Sequence, residues 1–95
     1  MGTLVKFTEF QSVTGKWHIG YFGSFKAGMD NFVLPARAMQ MRLDKYYEWV
    51  IENFDPIIQT HNDKGFISFC WTDYSKAHKL LLELNRAARR TNLTI

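Results

Sequence analysis

KGFISFCW, residues 64–71, decides how the rest of the chain is read. Side chains alternate along a strand, so Phe66, Ser68 and Cys70 share one face and Ile67, Phe69 and Trp71 the other. Both faces are mainly apolar, which predicts a central strand covered on both sides. Just upstream, IIQTH (57–61) reads as a strand and NDKG (62–65) as a turn, which makes a hairpin. Just downstream, Thr72 or Asp73 is placed to accept an orphan N–H at a helix start. The helix that follows carries Tyr74, Ala77, Leu81, Leu84 and Ala88 as a stripe for burial.

Towards the N-terminus, LVKFTEF (4–10) and WHIGYF (17–22) are rich in β-formers, and the Thr-Gly signal between them predicts a second hairpin. GSFKAGMDN (23–31) has no periodicity and reads as a loop. FVL (32–34) reads as a short strand before Pro35, which suits the first turn of a helix running to about Phe54. Leu43, Tyr46, Tyr47, Val50, Ile51 and Phe54 fall on one face of that helix, with Lys45, Glu48 and Glu52 opposite. Met41 falls on the polar side, where the helix either breaks or exposes it. Asp55-Pro56 ends the segment, and NLTI (92–95) is long enough for an edge strand.

From Phe32 onward these elements give strand, helix, strand, strand, helix, strand. The predicted fold is therefore α+β: a small antiparallel sheet with two helices on one face, in the ferredoxin-like βαββαβ order with an added N-terminal β-hairpin. Without the last strand the order becomes ββαββα, the alternative. Ninety-five residues make a single domain, 1–95.

The chain is 46% hydrophobic and 22% charged, an ordinary globular composition. One cysteine, Cys70, allows no internal disulfide, and with no signal-like or spanning apolar run the expected location is the cytoplasm, without membrane contact. The net charge of +3 is unevenly spread: residues 1–42 carry +3, residues 43–73 carry −4 and residues 74–95 carry +4. His18, His61 and His78 are scattered without metal-ligand spacing, and TGKW lacks the glycine spacing of a phosphate loop. The expectation is no enzyme, no metal, no cofactor and no small-molecule substrate.

Two constellations suit macromolecular contact. Lys76, Lys79, Arg86 and Arg90 cluster on the solvent side of the last helix with Glu83 among them, and Arg89 lies further round beside Leu82. Such a face meets phosphates or an acidic protein surface. On the preceding helix, Arg42, Tyr46, Trp49 and Asn53 form a stripe at the edge of the apolar face, and Arg, Tyr and Trp are the residue types enriched at interaction hot spots. The predicted partner-binding residues are Lys76, Lys79, Arg86, Arg89, Arg90, Arg42, Tyr46 and Trp49.

Residues 64–85 also resemble the strand-to-helix segment of RNA-recognition motifs, K/R-G-F/Y-G/A-F-V-x-F/Y. Lys64, Gly65 and Phe66 match its opening, and Trp71 its last aromatic. Ile67 stands where Gly or Ala is wanted, and Ser68 replaces the second stacking aromatic, so only Phe66 keeps a base-stacking role. VLPARAMQMRLDKYYEWV (33–50) followed by FCWTDYSKAHK (69–79) resembles, in style across the chain, short accessory proteins of bacteriophages and prophages. That resemblance implies a non-enzymatic inhibitor or adaptor occupying a surface of a host or viral protein or nucleoprotein complex, including an anti-CRISPR-like role. The alternative is a small nucleic-acid-binding module that uses the basic helix and exposed aromatics.

Overall fold

The computed structural model of the protein describes residues 2–21, 30–61 and 66–94. The predicted NDKG turn, with Lys64 and Gly65, and most of the predicted 23–31 loop lie outside those residues. The fold is α+β, and the described residues form two antiparallel two-stranded sheets and three helices in the order ββααββα.

In the first sheet β1 (Phe7–Gln11) pairs with β2 (Trp17–Tyr21), Phe7 opposite Tyr21 and Gln11 opposite Trp17. The turn closes through Ser12 N–H to Lys16 O at 2.8 Å and Gly15 N–H to Ser12 O at 2.9 Å. Gly15 has φ of +83°, a region glycine enters without steric cost, so the Thr-Gly signal marks this turn. In the second sheet β3 (Ile57–His61) pairs with β4 (Phe66–Cys70), Ile57 opposite Cys70 and His61 opposite Phe66.

Trp71 continues β4 and bridges Trp17 through two backbone hydrogen bonds of 2.7 and 2.9 Å. This bridge sets β4 between β3 and β2, and Ser68, Phe69, Cys70 and Trp71 are all buried. The burial expected of a central strand is observed, but β4 itself pairs only with β3. The single sheet expected is not observed: beyond this bridge β2 and β4 do not pair, and two hairpins result.

FVL is not a strand. Residues 32–34 lie inside α1 (Asp30–Ala38), with Pro35 in the helix rather than at its first turn. A three-residue apolar run fits either state, and packing decides. Phe32 sets its ring edge-on against Tyr47 and Phe69, at 4.9 and 5.0 Å, while Phe32, Leu34, Ala36 and Ala38 are buried together.

The expected helix from Pro35 to Phe54 is divided. Gln40 takes φ of +57°, Gln40 N–H reaches Arg37 O at 3.1 Å, and Met41 N–H reaches Ala36 O at 2.9 Å. This is the Schellman pattern of a helix end. Met41 then packs against the core instead of standing on a polar face. The second helix, α2 (Leu43–Phe54), stops at Asp55, whose φ is +47°, before Pro56. It packs against both α1 and α3, so its buried arc centres on Tyr46 and Val50 while Ile51, expected inside, is 43% exposed.

The last helix, α3 (Tyr74–Thr91), starts at Asp73, whose Oδ1 accepts Ser75 N–H at 2.9 Å and Ser75 O–H at 2.8 Å. Its buried stripe is Ala77, Leu80, Leu81, Leu84, Ala87 and Ala88, laid on β1, β2 and the other two helices. Tyr74, expected in that stripe, is 42% exposed and instead reaches Glu9. Among the described residues 92–94 of NLTI no ladder forms: Thr94 makes one bridge with Leu4, and Val5 N–H meets Leu93 O at 2.8 Å. With no strand at 32–34 and no terminal ladder, the ferredoxin-like order is not observed. The element order matches ββαββα with its first helix in two pieces.

Candidate binding groove between the second and third helices

A groove of about 480 Å³ runs between α2 and α3. Trp49, Asn53 and Phe54 line it from α2, and Lys79, Leu82, Glu83 and Arg86 from α3. Its apolar part is fixed. Trp49 meets Phe54 edge-on at 5.1 Å and tilts over Tyr46 at 6.1 Å. The Phe54 carbonyl accepts Trp71 Nε1–H at 2.8 Å, which ties this end of α2 to β4. Asn53 turns back and donates to the Trp49 carbonyl at 2.8 Å. Leu82, 51% exposed, is the apolar side chain α3 offers to an incoming group.

Charge frames this surface. Lys79 and Arg86 are seven residues apart, two turns along one helix face, or roughly 10 Å. Glu83 lies between them, 3.8 Å from Arg86 across a pair that is 66% and 45% exposed. An ion pair so wet holds little energy, so Arg86 can exchange Glu83 for a partner's carboxylate at small cost.

The other predicted residues distribute unevenly. Lys76 is exposed beyond the groove, 3.5 Å from Asp55. Arg89 and Arg90 are exposed in the last turn of α3, where positive charge also suits the helix dipole. Arg42 precedes α2, pairs with Asp44 at 3.4 Å and does not line the groove. Tyr46 is a correction: it is 3% exposed, inside the core, and burial pushes its phenol up. It supports Trp49 from beneath and offers no outer surface. Thus the two predicted clusters meet only through Trp49, Lys79 and Arg86. Phe54, Leu82 and Glu83 were not predicted as contacts, although an exposed leucine among charges on one helix face is legible from the helical period.

A second assembly was not foreseen. Glu9 on β1 accepts the Tyr74 phenol at 2.5 Å, and the same carboxylate oxygen lies 3.5 Å from His78 Nδ1. The hydrogen bond to Glu9 is the first cause that raises the Tyr74 phenol. Glu9 Oε2 is buried without a hydrogen-bond partner among the described residues. These three residues line neither the groove nor the hollow of about 320 Å³ bounded by Ile19, Phe32, Phe69 and Leu80. They fasten β1 to the start of α3.

Among the described residues no group of three or more His, Cys, Asp or Glu side chains could hold a metal ion. No helix among them is long and apolar enough to cross a membrane. No family model, curated protein or solved structure matches the chain.

Proposed function

We propose that this chain is a non-enzymatic binding protein that occupies a surface of a partner protein, as an inhibitor or adaptor of the phage accessory type acting on a nucleic-acid-handling or defence complex. What supports the reading is one observation. Trp49 and Leu82, aromatic and aliphatic, stand in the same groove as Lys79 and Arg86. An apolar anchor ringed by exposed charge is the layout of an interface hot spot with a polar rim. The complementary partner is an acidic segment with an apolar side chain to insert between Trp49 and Leu82. Arg89 and Arg90 extend the positive rim and steer its approach.

Glu83 between Lys79 and Arg86 favours a protein over a phosphate backbone, because a protein can space its carboxylates to meet the two cations on either side of Glu83, whereas a continuous run of phosphates must also pass the carboxylate. Capture from bacterial lysate, with and without nuclease, followed by direct binding of the captured protein, tests the assignment. Trp49→Ala should weaken binding by about 2 kcal/mol, some thirtyfold. Reversing Arg86, Arg89 and Arg90 to Glu should also weaken it while moving the melting temperature by only a few degrees, since exposed charges contribute little to folding. Binding of free RNA or DNA with a steep salt dependence, abolished by the same charge reversals, would make the chain a nucleic-acid module instead.

A further inference from the structure

The two outer edges of the strand assembly are treated differently. On β1 the Asn85 side chain acts as a substitute strand: its Oδ1 accepts Phe7 N–H at 2.7 Å and its Nδ2 donates to Phe7 O at 3.0 Å. Just before β1, Val5 N–H is taken by Leu93 O. That edge is covered at its start.

At the opposite edge β3 pairs with β4, and among the described residues no other backbone hydrogen bond reaches it. In an antiparallel pair every second residue turns its N–H and C=O away from the neighbour, so β3 presents a row of backbone groups that no described residue outside β4 pairs. Ile57, Ile58, Gln59 and Thr60 are all exposed, the two isoleucines at 44% and 48%. They alternate, so apolar surface shows on both faces of the strand. Edge strands are ordinarily blunted by lysine, an internal proline, a bulge or a covering segment. IIQTH contains neither a lysine nor a proline, and Pro56 stands just outside it.

We propose that β3 is a self-association edge, which pairs antiparallel with β3 of a second copy and joins two β3–β4 hairpins into a four-stranded sheet. A second copy is the occupant the strand fits. With no Asp, Glu, Lys or Arg in Ile57–His61, the edge sets no like charges against itself and carries no charge that would select a foreign strand. Each copy contributes the same residues about a twofold axis, so the contact closes at two chains. Pro56 lacks an N–H and stops the pairing at the same place in both copies.

Five paired residues span only about 17 Å, and such a seam buries less than the roughly 1,200 Å² of stable interfaces. The dimer is therefore weak and depends on concentration. Nothing in it uses the groove between α2 and α3, because no groove residue lies on β3.

The test is sedimentation velocity from about 10 μM to about 1 mM, the range in which an interface below standard size assembles. The expected result is a shift from the 11.2 kDa monomer towards twice that mass, insensitive to salt because backbone bonds carry it. Amide exchange read over the same range should show alternate amides of 57–61 becoming protected as the dimer forms. Ile58→Lys should raise the dissociation constant at least about tenfold by placing like charges across the seam. Thr60→Lys, on the same face, is the second variant should the first unfold. A monomer at every concentration, edge amides protected already at 10 μM, growth beyond two chains, or a dimer untouched by both folded lysine variants would each overturn the proposal.

Discussion

Asn85 holds the edge of β1 through both ends of its amide, so its loss acts on a backbone group with no other recourse. Phe7 is 1% exposed, and its N–H would be left buried and unpaired. Asn85→Ala should therefore destabilise the fold by about 1–3 kcal/mol. Urea denaturation should show a lower midpoint with an unchanged slope. Asn85→Asp keeps the acceptor for Phe7 N–H but loses the donor to Phe7 O, and should fall between wild type and alanine. The same scale explains Tyr46. Its ring is the right chemistry for a contact, but burial beneath Trp49 makes it a support for the contact instead.

Among the elements, α3 joins most of the structure, and its first turn depends on Asp73. The side-chain hydroxyl and backbone N–H of Ser75 hold the Asp73 carboxyl below its ordinary value of 3.8. A depressed folded value means that ionised Asp73 favours the folded state. That contribution is complete above the unfolded value and is lost as pH falls through the lower, folded one. Asp73→Ala should thus lower the melting temperature at neutral pH, and the gap from wild type should close as pH falls through the depressed folded value. A gap that stays constant into acid would mean the loss comes from something other than the ionised cap. Helix ends also repeat one local geometry: Gln40 and Asn92, both at positive φ, close α1 and α3 by the same Schellman pattern.

For the whole molecule, Cys70 reports on cooperative unfolding. It is 2% exposed between β3 and the core, and burial pushes its thiol up, against the smaller opposing pull of the Lys16 charge. Native protein should react with a thiol reagent only as fast as it opens, and denaturant should accelerate labelling in step with loss of structure. Prompt labelling of folded protein would show that β3 opens locally.

The period of two in FISFCW, the Thr-Gly turn, the Asp73 cap and the Asp55-Pro56 stop were readable because each is decided within a few neighbouring residues. So was the positive face of α3, which follows from helical period alone. FVL was not, since its helical state depends on Phe32 meeting Tyr47 and Phe69 from distant segments. The rotation of α2 was likewise hidden, because two neighbouring helices choose its buried arc. The groove exists only where those helices meet, and β3 is an outer edge only because no other described segment packs its backbone beside it. Sequence by itself determined the two hairpins, the last helix and its positive face; tertiary packing decided the state of residues 30–42 and which side chains reach solvent together, because burial is shared among segments that the chain order keeps apart.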